Sequence, residues 1–503
     1  MTDSKKITEL TASLPSGSFD FAVASGVENY KIFYSDLAEY SSIGTKSGNF
    51  TETLMISGNP VATGEAPPGV ASGLSWSGAP ASSSSPGESG AVSFTQRFPE
   101  SLASTYFYTQ TASLGSGVVD AAVAPFISWN SLFLTSNGDA YGCGRNDAGQ
   151  LGLGDLTQRE VPTYITGGSV GSSVTGIAAD GIVSFFLATN GDAYGCGRRL
   201  ERLGLGGGVP LDVVYPTRVT GSNIVAIAVG GDSTLFLASN GDAYGCGVNN
   251  YGQLGLGDTA ARWYPTLISG STITGISAAG YFYHDSTSLF VTSAGDVYGC
   301  GENNTGQLGL GDVVQRNWPT LITGSTVVKA KAGTWNSLFL TAAGDVYGCG
   351  LNYNGLLGQG DSGSSVPITR PTYITGAGDG VAVSEVALGK SFSLFLNTAG
   401  DVYGCGSNND GALGLGGVEQ VAVPTFITGA LNGGVAVTGI RGGGFDGLGE
   451  SLFLTVNGDV YGCGRNTYSS LGLGDTTMRT VPTAISGAQI PIQSWKRLSL
   501  STW

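Results

Sequence analysis

One seven-residue phrase stands in the chain seven times. It is first Gly138-Asp139-Ala140-Tyr141-Gly142-Cys143-Gly144, and it returns at 191–197, 241–247, 295–301, 344–350, 400–406 and 458–464, changing only between Ala and Val at its third position. From cysteine to cysteine the steps are 53, 50, 54, 49, 56 and 58 residues. Self-similarity at such a period belongs to solenoids and propellers, whose single units cannot bury their own apolar faces.

The phrase sits inside a longer unit. In the first copy Ser131-Leu132-Phe133-Leu134-Thr135 precedes it, Gly149-Gln150-Leu151-Gly152-Leu153-Gly154-Asp155 follows it, and Val161-Pro162-Thr163-Tyr164-Ile165 closes the copy. Every copy keeps a hydroxyl residue at the place of Ser131 and a Pro-Thr pair at the place of Pro162. These runs predict four short antiparallel strands. A run such as Val174–Ala178 is strand a; the apolar, β-prone Ser-Leu-Phe-Leu-Thr is strand b. The Asn-Gly or Ala-Gly pair is the b–c turn, Asp-Ala-Tyr-Gly-Cys is strand c, and the proline suits the start or outer edge of strand d. Tyr141 and Cys143 point to one face of strand c and its glycines to the other, so neighbouring sheets can approach closely. Seven such sheets stacked radially bury what one cannot. The expected fold is all-β: a seven-bladed β-propeller over residues 118–490, after a small β-rich N-terminal anchoring region and before a C-terminal tail at 491–503.

Composition narrows the function. Glycine at 84 of 503 residues is more than twice the usual share of about 7%, and much of it falls in the repeated turns. A net charge of −15 with only 22 Lys plus Arg lacks the basic footprint of a nucleic-acid binder. All seven cysteines occupy one repeat position, which predicts small buried apolar residues in separate blades, without disulfides or a metal. The start, Met1-Thr2-Asp3-Ser4-Lys5-Lys6, leads into no apolar run, and no stretch reaches about 18 apolar residues. No secretory signal or membrane insertion is expected, and the chain is expected to be made in a cytoplasm. No cofactor is expected.

The repeat, with its Gly-Asp-Val-Tyr-Gly-Cys-Gly, Asn-Asn-x-Gly-Gln-Leu-Gly-Leu-Gly-Asp and trailing proline, resembles that of the regulator-of-chromosome-condensation family. The resemblance implies a seven-bladed propeller. The founding member of that family works on chromatin and activates a small GTPase; the acidic balance here argues against chromatin. The place of the family's histidine before strand b holds Asn130, Val183, Ser233, Thr287, Asn336, Phe392 and Glu450. A second resemblance lies in residues 4–44. Lys6-Ile7-Thr8-Glu9-Leu10-Thr11-Ala12, then Phe19–Ala24, then Asn29-Tyr30-Lys31-Ile32-Phe33-Tyr34-Ser35-Asp36-Leu37 are similar to the N-terminal segment of many tailed-bacteriophage virion proteins. That resemblance implies docking to other virion proteins through Ile7, Leu10, Tyr30, Ile32 and Leu37, a homo-oligomer with a trimer favoured, and location in the virion. Residues 1–64 are then the docking segment, and 65–117 a Ser/Pro/Gly-rich arm with a short β-hairpin.

A meander blade places the a–b and c–d loops on one side of the disc. Variable loops on a constant scaffold carry recognition. Those loops hold Trp129, Tyr281, Tyr283, His284 and Trp335 on the a–b side, and Arg145, Arg198 and Arg465 on the c–d side, with Trp263 and Trp318 just before strand d. Aromatics and arginines in this setting suit a glycan or protein surface, although any single ring more often packs between neighbouring loops. His284 is the only histidine and has no nucleophile pattern around it. The sevenfold Gly-Asp carboxylates read as turn caps. The chain is thus expected not to be an enzyme. The first expectation is a phage tail or head fibre that displays a propeller to a host-surface glycan or protein. The alternative is a cellular regulator of the same propeller family acting by protein–protein interaction, for example GTPase exchange. The third is a glycan-cleaving spike, which needs two paired carboxylates in a cleft.

Overall fold

The computed structural model describes residues 117–489, with breaks at 124–129, 166–172, 199, 208–211, 221–222, 270–271, 282–283, 325, 361–365, 418, 428–434, 446–447 and 486–487; before them it describes the backbone of seven short strands, from Ser18–Ala22 to Thr111–Ala112. Thr109–Pro491 form one compact unit, and Met1–Tyr108 with Ile492–Trp503 another. In the second unit Ser18–Ala22 pairs antiparallel with Asn29–Phe33, and Leu54–Ile56 with Asn59–Ala62. Ser93–Thr95 pairs back onto Ser75–Ser77, so that hairpin begins inside the tract whose composition reads as an arm.

The large unit is the propeller. Each blade is a meander, a-b-c-d, from Val118–Val123, Asn130–Thr135, Ala140–Gly144 and Arg159–Tyr164 in blade 1 to Val437–Phe445, Leu448–Thr455, Val460–Gly464 and Arg479–Ala484 in blade 7. The a strands touch one another in turn round a closed ring, the last against the first. They therefore line the axis, and the d strands form the rim.

Strand b is apolar because both its faces are covered. Leu132, Phe133 and Leu134, and their counterparts in every blade, are buried. The buried layers lie between blades: Leu132, Leu134, Ala140, Leu151 and Ile165 of blade 1 pack against Phe186, Ala188, Tyr194 and Cys196 of blade 2. Burying one such Leu or Phe side chain stabilises by about 1.5–3 kcal/mol. The glycine of strand c serves this layer. A Cβ on Gly142 would press on Leu151, Leu132 and Ile165 at 3.0–3.3 Å. Glycine there lets the leucine of the c–d loop fold back over its own sheet and fill the gap before the next blade.

The cysteine faces the other way, into the preceding blade. Each thiol donates to a backbone carbonyl of that blade's c–d loop: Cys196 to Gln150 at 3.4 Å, Cys246 to Arg202 at 3.3 Å, and so round to Cys143, which bonds Ser470 of blade 7 at 3.2 Å. Four hydroxyls at the place of Ser131 reach the same carbonyls: Thr234, Ser337, Ser393 and Ser451. All seven cysteines are free and buried, and burial pushes their thiols well above the usual range.

Closure needs no shared blade, since all four strands of blade 1 are contiguous. Val118 N–H donates to Gly458 at 3.2 Å, Gly474 N–H to Glu160 at 3.0 Å, and Arg441 pairs with Asp120. The end of the unit adds a strap. Ala488–Gln489 lies parallel to the rim strand of blade 1, with Thr111–Ala112 antiparallel beyond it, making a six-stranded sheet.

Candidate functional site

Three surfaces collect chemistry: the loop face, the rim and the axial channel. On the loop face the predicted residues mostly interlock. Arg145 pairs with Asp147 and lies 5.4 Å from the ring centroid of Tyr468, across the junction of blades 1 and 7. Arg198 holds Asp212 by two bonds, at 2.5 and 3.1 Å, and reaches Asp147 O in blade 1 at 3.3 Å. The Lys390 ammonium of blade 6 sits 4.8 Å from the Trp335 ring of blade 5, and Thr305 of blade 4 donates to Trp335 O at 3.0 Å. Arg465 donates to Thr467 Oγ1 at 2.6 Å. Arg145 and Trp335 each join two neighbouring blades, and these contacts tie loop to loop. Tyr281 and His284 are paired across the a–b hairpin of blade 4; their side chains, with Trp129 and Tyr283, lie outside the described residues. The seven positions before strand b, from Asn130 to Glu450, are all buried.

The rim differs. Trp318 is 64% exposed, Tyr264 62%, Tyr215 53% and Trp263 47%. Trp263 and Trp318 lie within the d strands Arg262–Ser269 and Arg316–Thr323, not in the loops. Tyr215, Tyr264 and Trp318 each precede the repeat proline in blades 2, 3 and 4. Each ring covers a left-handed glycine of the preceding blade's c–d loop, Gly154, Gly206 or Gly257, where a Cβ would collide with it. Leu267 and Leu321 are exposed on the same strands. Three consecutive blades thus present a fixed apolar arc. Tyr215 and Tyr264 were missed by the loop argument, yet aligning the repeats on their prolines brings all three rings into one column.

The inner strands carry a charged group that strand prediction alone did not single out. Arg441 of blade 7 donates to Glu385 of blade 6 at 2.9 Å, to Ala121 O of blade 1 at 2.8 Å, and to Asp120. Glu385 also accepts from Ile440 N–H at 3.2 Å. Three blades meet on one guanidinium. Among the described residues no cluster of three or more His, Cys, Asp and Glu is placed to hold a metal, and no helix is long and apolar enough to cross a membrane.

Residues 109–377 match the RCC1-like domain family, and 383–412, 399–445 and 457–494 match the regulator of chromosome condensation (RCC1) repeat. The chain belongs to the RCC1-like domain family. Among its relatives, the ultraviolet-B receptor UVR8 of Arabidopsis thaliana is 30% identical over 236 residues, 47% of this chain and 52% of that protein. The probable E3 ubiquitin-protein ligase HERC4 of Mus musculus is 41% identical over 196 residues, 39% of this chain and 18% of that one. The chain therefore spans about half the length of the first and far less of the second. Among solved structures, Prp20p of Saccharomyces cerevisiae matches this RCC1-like chain with a TM-score of 0.61 at 21% identity, covering 72% of this chain and 94% of that one, which speaks for the fold alone.

These relatives correct the first functional expectation. They are cellular proteins of a plant and an animal. The bacteriophage tail- or head-fibre role, the virion location, the virion-protein partners, the host-surface glycan or protein as target and the trimer expected with them do not hold. The physical reason is the weight of the two signals. The virion resemblance rests on a short outline of β-prone residues in which few positions are constrained, whereas the propeller repeat constrains turns, glycines and cysteines in seven copies. Of the five proposed docking residues, Ile7, Leu10 and Leu37 lie outside the described residues, and Tyr30 and Ile32 are placed only as backbone on Asn29–Phe33.

Proposed function

We propose that this RCC1-like propeller is a cellular regulator that works by holding a protein partner and carries out no catalysis itself. The observation that carries the reading is the apolar arc of Tyr215, Tyr264 and Trp318 on the rim, inside the segment that matches the family. Large rings already fixed over glycine lose little freedom on binding, which is what a hot spot needs. A chain of net charge −15 favours partners with a basic surface, through steering and complementarity. The polar groups of the loop face support the non-enzymatic part: Arg145, Arg198 and Arg465 are each held by a neighbour, and the thiols are buried. The study of Prp20p names Gsp1p and histones as what that protein binds, so a small GTPase of the Gsp1p kind and core histones are the two probes to use. The full chain, titrated with each by calorimetry, is expected to bind at least one. Trp318→Ala combined with Tyr264→Ala is expected to weaken that binding at least tenfold with unchanged thermal unfolding. Binding of neither probe, or equal affinity in the double variant, overturns the proposal.

A further inference from the structure

We propose that the axial channel holds a small oxyanion, with the Lys331 ammonium as its principal ligand. The third and fifth residues of the inner strands set the lining. They are Asp120 and Ala122 in blade 1, Lys329 and Lys331 in blade 5, Glu385 and Ala387 in blade 6, and Gly439 and Arg441 in blade 7. In blades 2, 3 and 4 they are Gly176 and Ala178, Ala226 and Ala228, and Gly275 and Ser277. Charge is therefore gathered on one arc of the ring, and small residues occupy the other. A Cβ built on Gly176 or Gly275 meets nothing nearer than 3.4 Å, so packing does not force glycine there. The small arc sets no charged side chain opposite them.

The charges do not cancel. Lys329, Lys331 and Arg441 face Asp120 and Glu385, three cations against two carboxylates. Arg441 engages both carboxylates. Lys329 Nζ donates to Ser384 O at 3.1 Å. Among the described residues Lys331 has neither an ion pair nor a hydrogen bond, although it is exposed to the lumen. Burial holds its ammonium below the usual lysine range; Arg441 and Lys329 repel it, while Glu385 and Asp120 attract it. No carboxylate among the described residues contacts this ammonium directly, so an anion beside it adds a favourable charge-assisted pair. The neighbouring blade supplies a second donor. Ser277 Oγ accepts from Ala332 N–H at 3.0 Å, which leaves its own proton free to donate. Ser277 and Lys331 are both fifth residues of adjacent inner strands. An ammonium with three N–H donors and a hydroxyl suit the several acceptor oxygens of a phosphate better than a halide.

The test uses the full chain and inorganic phosphate at constant ionic strength in chloride. Calorimetry at neutral pH is expected to show saturable binding of one phosphate, weakened at least tenfold by Lys331→Met and a few-fold by Ser277→Ala, and kept by Lys331→Arg. In the unaltered protein, phosphate is expected to slow amine acetylation at Lys331, read by mass spectrometry. No binding above the chloride background, unchanged affinity in Lys331→Met, or acetylation of Lys331 indifferent to phosphate each overturns the site.

Discussion

At the scale of single residues the repeat tolerates one large exception. Where blades 1, 3 and 4 carry Gln150, Gln253 and Gln307 in the c–d loop, blade 2 carries Arg202, wholly buried and paired with Asp180. Burial pushes the Asp180 carboxyl up, and Arg202 opposes that push. Arg202→Leu removes the opposition and leaves a buried carboxylate alone, a change that costs about 3–5 kcal/mol. The sign of its pH dependence follows. A carboxyl whose folded pKa lies above its unfolded value binds more protons when folded, so stability falls as pH rises through that window. Chemical denaturation of Arg202→Leu is expected to show its deficit shrinking between pH 7 and 5, and a deficit constant with pH would contradict this account. A smaller exchange probes the cysteine layer. Gly255 has φ +65°, and a Cβ there lies 3.0 Å from Cys300 Sγ and Pro319. Gly255→Ala is expected to lose about 1–3 kcal/mol, since it both strains the backbone and overpacks the blade junction.

At the scale of elements, the c–d loop is the device that repeats most faithfully. Its asparagine donates to the aspartate that ends the loop and accepts from the buried leucine, as Asn249 does with Asp258 O at 2.9 Å and Leu254 N–H at 2.9 Å. In four blades that aspartate also clasps the arginine that starts strand d, at 2.6–2.7 Å: Asp155–Arg159, Asp258–Arg262, Asp312–Arg316 and Asp475–Arg479. The arginine bond is the main cause holding Asp258 and Asp475 below the usual carboxylate range. A depressed carboxylate gives its stabilisation above its unfolded pKa and loses it as pH falls through the folded one. Thermal unfolding is thus expected to drop below about pH 4, and Asp475→Asn with Asp258→Asn is expected to flatten that acid limb. These loops were legible as structure, because Leu-Gly-Leu-Gly-Asp recurs with no phosphate-binding Lys-Ser/Thr after it. The exposed rings of the rim were legible only in part. Trp263 and Trp318 stand out as tryptophans, but tyrosine at 215 and 264 is ordinary in a strand until the blades are superposed. The channel charges were not legible, because Lys331 and Arg441 alternate with apolar residues as on any half-exposed strand. Only the ring makes their faces converge.

At the scale of the whole molecule, blades 1 and 7 meet through the contacts of any other pair, a cysteine on a loop carbonyl and a shared apolar layer, with the Arg441–Asp120 ion pair added. The strap at Ala488–Gln489 lies outside that ring, on the rim of blade 1. Shortening the chain before Ala488 is therefore expected to lower the melting temperature by a few degrees, as for about 1 kcal/mol in a large domain, and to leave one cooperative transition. Loss of cooperativity would show that the strap, not the seventh interface, closes the disc.

The strap has a topological consequence. Ala488 and Gln489 pair with Ala112 and Thr111, so the strands that enter and leave the disc are hydrogen-bonded neighbours. Joining them with a few residues turns the thread into a loop with no first repeat. New ends cut into a b–c turn, where Gly295 stands, would then give a chain whose blades are numbered from another origin. The same disc would assemble from it, because each blade packs only on its two neighbours.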